Sequence, residues 1–309
     1  MPAIGASGIL GIAPETVSGT YVTPTKYFPF DSESLKWSQE NQERRAIRNT
    51  PSLIGMIRGN GSVAGDITLD CTPDMLAHFL MASRYSVVKT GASAPFTYAF
   101  TPAAVAVPTK TISITVKRGN ETSGYTGCVV GGFSLTTDNG ALKVTLNILG
   151  NSEATQTNPT PTWPTTLPFG AGMYTLEIPT GTAVKDSDSF EFAVEDGAEA
   201  QFRLQNTLGA AFIKFGENSA TLKVERDFET RAELDQYKAM TSKSISFKAV
   251  NGAEEISIVA PVAFINSYDY NLSSVGDLVR ASVEYVLAIN ASGVNNTLTV
   301  KTAENITVV

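Results

Sequence analysis

The chain has 309 residues, 42% of them hydrophobic, which is ample for one large core or two ordinary ones and too many for a disordered chain. A formal net charge of -7 and a pI near 4.9 argue against a protein whose main task is to grip phosphates, because that needs a surplus of Lys and Arg on one face. Cys71 and Cys128 are too few for a disulfide scaffold and lack paired spacing for zinc, so reduced thiols are expected.

The opening, MPAIGASGILGIAPETVSGTYV, has no basic n-region, and Gly and Pro break its apolar stretch, so no secretory leader is expected. No apolar run approaches the roughly 20 residues a membrane helix needs, and no membrane partner is expected. The arm Ser38 to Asn60, SQENQERRAIRNTPSLIGMIRGN, is polar, basic and weakly periodic. After it, Thr72 is a plausible N-cap with Pro73 at the first helical position and Asp74 in the first turn, and the run Met75 to Met81 predicts a helix. Period-two alternation then predicts strands over Thr111 to Lys117 and Ala141 to Ile148. Ile112, Ile114 and Val116, and Leu142, Val144, Leu146 and Ile148, face one way, so each sheet is expected to have one buried and one wet side. Asn151 to Pro168 is rich in Pro and Thr and reads as a linker. Alternation resumes at Ala220 to Val224, a second short helix is expected over Arg231 to Met240 with Leu234 and Tyr237 on one face, and Leu278 to Leu287 is a long strand. After Ile289 comes a short polar strand-like tail ending at Val309.

The halves resemble each other. IRGNGSVAGDITLD, ending at Asp70, aligns without gaps on KFGENSATLKVERD, ending at Asp227, and matches Gly59 to Gly216, Ser62 to Ser219 and Asp70 to Asp227. Each is followed by a predicted helix, then by KTISITVK from Lys110 or KSISFKAV from Lys243, then by two more strands. The expectation is a mainly β chain, an antiparallel sandwich or barrel with short flanking helices, duplicated as residues 1–150 and 169–309 with 151–168 as the linker.

Chemistry-bearing constellations are weak. His78, the one histidine, lies in LAHFLM within the first predicted helix and reads as a packing residue, not a base. No nucleophile signature surrounds Cys71 or Cys128. GNGSVAG at Gly59 to Gly65 lacks the Lys of a phosphate loop and enters a strand instead of a helix. No catalytic residue, cofactor or metal site is expected.

The ordered set GIAPETVSGTYVTPTKYFPFDSESLKWSQE, ERRAIR and GNGSVAGDITLD resembles the phage tail tube protein family. The residues that carry it are Gly11, Glu15, Thr16, Gly19, Thr20, Pro24, Thr25, Phe28, Phe30, Glu33, Ser34, Arg45, Arg48, Gly61 and Ser62, and the ending VEYVLAI is similar too. The resemblance implies two packed antiparallel sheets joined edge to edge with neighbours into rings that stack as a tube. The genome would pass through the lumen as transient, non-specific cargo, and the tail tip, tape measure and tail terminator proteins would be partners. It implies a virion protein assembled in the host cytoplasm. With two copies of the fold per chain, a trimeric ring is favoured over a hexamer.

On that reading the wet strand faces at Asp66, Thr68, Asp70, Glu225, Asp227 and Glu284 are candidates for the lumen wall, the alternative being ordinary solvated faces on the outside. Arg44, Arg45, Arg48, Ile54, Met56 and Arg58 on the long arm are candidates for contact with the neighbouring ring, the alternative being a surface loop. Other tube or virion proteins, such as a contractile-tail tube, a secretion-type tube or a tail terminator, fit the same residues. A β-sandwich adhesion or carbohydrate-binding module would need an aromatic platform, and Trp37 and Trp163 are isolated.

Overall fold

Alternating apolar residues can bury one face of a strand only if the strands pair and their faces stack, and the structure, a computed structural model, is built on that rule. It describes residues 5–47, 52–138, 140–204, 207–228, 230–271 and 278–308. The first half contains β1 (Ile9–Pro14), β2 (Lys26–Phe28), β3 (Ser32–Glu33), β4 (Lys36–Gln39), β5 (Gln42–Arg44), β6 (Gly55–Ile57) and β7 (Gly61–Asp70). These are followed by α1 (Pro73–Leu80), β8 (Tyr85–Thr90), β9 (Phe96–Pro102), β10 (Ile112–Arg118), β11 (Glu121–Asp138), β12 (Ala141–Gly150) and β13 (Ser152–Thr155). The second half contains β14 (Tyr174–Glu177), β15 (Ala183–Val184), β16 (Ser187–Glu195), β17 (Glu199–Gln201), β18 (Phe212–Lys214) and β19 (Ser219–Asp227). Then come α2 (Ala232–Ala239), β20 (Lys243–Asn251), β21 (Glu254–Asn271), β22 (Arg280–Ala288) and β23 (Thr297–Thr302). The fold is mainly β and antiparallel, as the alternation predicts. Among the described residues no helix is long and apolar enough to cross a membrane.

Both halves pair in the same order. In the first, β3 and β4 flank β7, which pairs with β12, then β11, β10, β1 and β2. In the second, β16 flanks β19, which pairs with β22, then β21, β20, β14 and β15. β13 closes on β11 as β23 closes on β21, and the hairpin β8–β9 has no counterpart. β11 and β21 are each 18 residues long, and each slips register against the next strand, between Val130 and Gly132 and between Ile265 and Ser267. Such a bulge turns a strand, so the leading part of each belongs to one sheet and the trailing part to the other. The halves join where β11 pairs with β16 and where β23 pairs with β9, and one buried cluster runs through both, from Leu10 and Ile67 to Phe192, Leu222 and Val300.

Three expectations change in detail. β10 is buried on both faces, because residues 15–22 cover its polar side: Tyr21 Oη bonds Thr115 Oγ1 at 2.8 Å, and Val22 N–H donates to Ser113 Oγ at 3.0 Å. α2 turns Gln236 inward and leaves Tyr237 exposed, so Leu234 and Tyr237 do not form a shared buried face. The stretch expected to stay unpaired begins with β13, which pairs with Ser123 to Thr126 of β11, and residues 156–168 hold no regular element.

The opening segment is pinned by one buried carboxylate. Glu15 Oε1 accepts from Ser113 Oγ at 2.8 Å and Gly127 N at 2.9 Å, and Oε2 accepts from Thr111 Oγ1 at 2.6 Å and Gly19 N at 2.7 Å. Gly11 leaves room for the returning chain, since a Cβ there would lie 2.7 Å from Pro24. Replacing Glu15 by Ala strands several buried donors, so Glu15→Ala is expected to lower stability by about 3 kcal/mol in urea unfolding. A loss well under ~1 kcal/mol would show that the donors find other acceptors.

Candidate functional site

β7, β12, the trailing part of β11, β16, β19, β22 and the trailing part of β21 form one continuous sheet with a polar outer face. The six wet-face candidates all lie on it, because each alternates with a core residue: Asp66, Thr68 and Asp70 with Ile67 and Leu69; Glu225 and Asp227 with Val224; Glu284 with Val283 and Tyr285. Register brings them together in cross-strand pairs. Asn147 Nδ2 donates to Asp66 Oδ1 at 3.0 Å, the Thr68 and Thr145 hydroxyls bond at 3.2 Å, and Asp227 lies opposite Arg280. Glu191 and Glu195 of β16 share the face and escaped the sequence reading. Its cations are matched by carboxylates: Lys143 with Asp31 at 3.0 Å, Lys223 with Glu225 at 3.7 Å, and Arg280 with Asp188. The face is therefore acidic on balance, which disfavours binding of phosphates.

The sheet ends in two open edges. From Phe264 onward the side of β21 that β20 occupies as far as Lys243 and Ala263 carries no paired strand among the described residues, and β3 and β4 pair with β7 alone. Tyr270, on the core side of β21, is 53% exposed. An edge strand presents unpaired backbone groups and is a pairing template.

The long arm folds as the hairpin β5–β6, with Ile54 N donating to Arg44 O at 3.1 Å. Arg44, Arg45 and Arg58 are exposed, Arg45 pairs with Glu43 at 2.9 Å, Met56 is exposed and Ile54 is half-buried. Arg48 lies outside the described residues. A second arm, β17–β18, escaped the sequence reading. It lies back on the chain, where Ala210, Ile213 and Phe215 cover Val129.

Cys71 and Cys128 are fully buried, and burial pushes both thiols far up, which makes poor nucleophiles. His78 Nε2 lies 3.0 Å from Glu304 Oε1, and Lys26 pairs with the same carboxylate beside a cavity of about 290 Å³. Among the described residues no group of three or more His, Cys, Asp or Glu side chains is placed to hold a metal ion.

The family model described as "Phage tail tube protein" matches residues 5–293. No curated protein matches the chain.

The Glu304 cluster makes a separate test. Hydrogen bonding to His78 is the largest influence on the Glu304 carboxyl, burial opposes it, and Lys26 adds to it, leaving the group at about 2 instead of 4.5. A depressed carboxylate stabilises the folded state above its unfolded pKa, and that contribution fades as pH falls from 4.5 towards 2. Melting curves of Glu304→Gln are expected to lie below the wild type at neutral pH and to converge on it near pH 2. A constant offset at all pH values would count against the ion cluster.

Proposed function

The chain belongs to this family, and from that membership we propose that it assembles into stacked rings forming the tail tube of a long-tailed phage, the conduit through which the genome reaches the host. The observation that carries the reading is the single polar sheet open at both edges. Open edges are a liability in a lone chain and the means of closure in a ring. The acidic outer face of that sheet becomes the lumen wall, with Asp66, Thr68, Asp70, Glu225, Asp227 and Glu284 facing the duplex. Carboxylates there repel phosphate over about one Debye length, roughly 8 Å at physiological salt, so the cargo is neither bound nor held.

The shared pairing order of the halves supports a duplicated fold, and three chains then supply six quasi-equivalent units per ring. Tail tip, tape measure and terminator proteins would meet the tube at its ends and in its lumen, after subunits made in the host cytoplasm assemble. Negative-stain micrographs of the purified protein should show rings or tubes with a central hole, and light scattering on the same sample should count three chains per ring. Six chains per ring would keep the tube and undo the duplication. Dispersed single chains at high concentration would count against self-assembly. Converting Asp66, Asp70 and Asp227 to Lys is expected to leave tubes intact while lowering infectivity at least about tenfold, in line with added phosphate contacts. Undiminished infectivity would place these residues away from the lumen.

A further inference from the structure

The junction between the two halves is a template for the junction between two chains. A single constant shift carries Ser32 onto Ser189 and Asp70 onto Asp227 with no insertion or deletion between, so β4 falls on the end of β16 and β7 on β19. The same shift lays the strands of the β5–β6 arm, 42–44 and 55–57, on those of the β17–β18 arm, 199–201 and 212–214. On the receiving side, β12 is equivalent to β22 through their pairing with β7 and β19, and the register of the long strands then sets Gly132, Phe133 and Ser134 equivalent to Ser267, Tyr268 and Asp269. Inside the chain that receiving edge is filled. Glu195, Val194 and Ala193 of β16 lie opposite Gly132, Phe133 and Ser134, and the second arm covers Val129.

The equivalent edge of β21 has no such cover among the described residues. Leu135 is fully buried and Leu149 half-buried, whereas their equivalents beside the open edge, Tyr270 and Val286, are 53% and 38% exposed. The would-be covering residues are exposed too: Met56, equivalent to Ile213, by 63% and Leu53, equivalent to Ala210, by 43%. We propose that a second copy of this chain occupies the β21 edge with its β4, Trp37 opposite Tyr268 and Lys36 opposite Asp269, while its β5–β6 arm lays Met56 and Leu53 over Phe264 and Val286. The proposal rests on the tube reading and deepens it by naming the ring seam, and it gives the arm to the lateral neighbour instead of the next ring.

The transferred register was fixed by internal pairings alone, yet it sets a cation opposite a carboxylate on the polar face and two aromatic rings opposite each other on the core face. Each chain has one donor and one acceptor edge, so the contact is head-to-tail and closes only as a ring. The seam differs from the internal junction in two places. Gly132 admits the Val194 carbonyl at 2.8 Å from where a Cβ would stand, and Ser267 carries that Cβ, so the strands sit slightly farther apart there. Leu35 O already accepts from Arg118 Nη2 at 2.6 Å and Tyr125 Oη at 3.0 Å, so the ladder begins at Lys36.

Two sets of variants test this in the full-length protein. Lys36→Cys combined with Asp269→Cys brings two thiols across neighbouring strands, within disulfide reach. On mild oxidation it should give covalent dimers and a closed trimer on non-reducing gels, and neither single variant should. Asp269→Lys should reduce tube yield at least about tenfold, and adding Lys36→Glu should restore it. Tubes in micrographs without cross-linked species, or full assembly by Asp269→Lys alone, would overturn the seam and leave the tube standing. Wild-type protein that forms no ring or tube at any concentration would overturn the tube reading on which the seam rests.

Discussion

One long strand that changes sheet in mid-course is the constraint on which the rest depends. β11 cannot pair with β10 and β16 on the same side unless its backbone turns between them, and the extra residue at Gly131 provides the turn. The bulge also fixes where β16 docks, because glycines at 131 and 132 let Ala198 and the Val194 carbonyl come within 2.8 Å of where side chains would begin. Losing the bulge would slip the trailing register by one residue and turn Phe133 and Leu135 out of the core and Ser134 into it. Sheet order, core and the junction of the halves all follow from that one irregularity, and β21 repeats it between Ile265 and Ser267.

Satellite elements attach to this frame through polar bonds. Glu15 closes residues 15–19 on Gly19 N and ties them to Thr111, to Ser113 of β10 and to Gly127 of β11, Arg118 ties the β3–β4 corner to the β10–β11 hairpin through Glu33 and Leu35, and Arg226 ties β19 to Asp186 and to Glu233 of α2. Each is a buried or half-buried ion whose donors and acceptors are satisfied, which specifies one arrangement among several that apolar packing alone would tolerate. That gives the Glu15 and Gly19 of the opening motif a structural role.

Alternation made β12 and β19 legible in the sequence, and Pro73 with Asp74 located α1 within a residue. The two-sided burial of β10 was not legible, since its cover comes from residues about a hundred positions away, and a polar residue reads as wet until its partner is known. The second arm was hidden by chemistry. The gapless match of the strands ending at Asp70 and Asp227 continues backwards through both arms, and Asn-Thr stands at 49–50 and again at 206–207, yet ERRAIR and AQFRLQ look unrelated. Burial explains the difference: the second arm lies on its own chain and carries Phe202, Ile213 and Phe215, while the first is solvated in the single chain and carries Arg45, Met56 and Arg58. Edge exposure is invisible for the same reason, because periodicity shows which face is wet and not which strand is last.

Charge placement at the two edges bears on how the proposed seam would choose its partner edge. Pairing two copies of β21 about Asp269, or two copies of β4 about Lys36, would set like charges opposite each other, so those registers are disfavoured. Unlike edges attract, which favours the head-to-tail contact of the proposed seam. Arg118 adds a second guard by occupying Leu35 O, the carbonyl that would otherwise extend the β4 template, and β3 and β4 are only two and four residues long. Short, charged and partly capped edges would make a single proposed seam weak. A ring closes all its seams together, so weakness at one seam suppresses unspecific pairing in the monomer while the closed assembly gains from every contact at once.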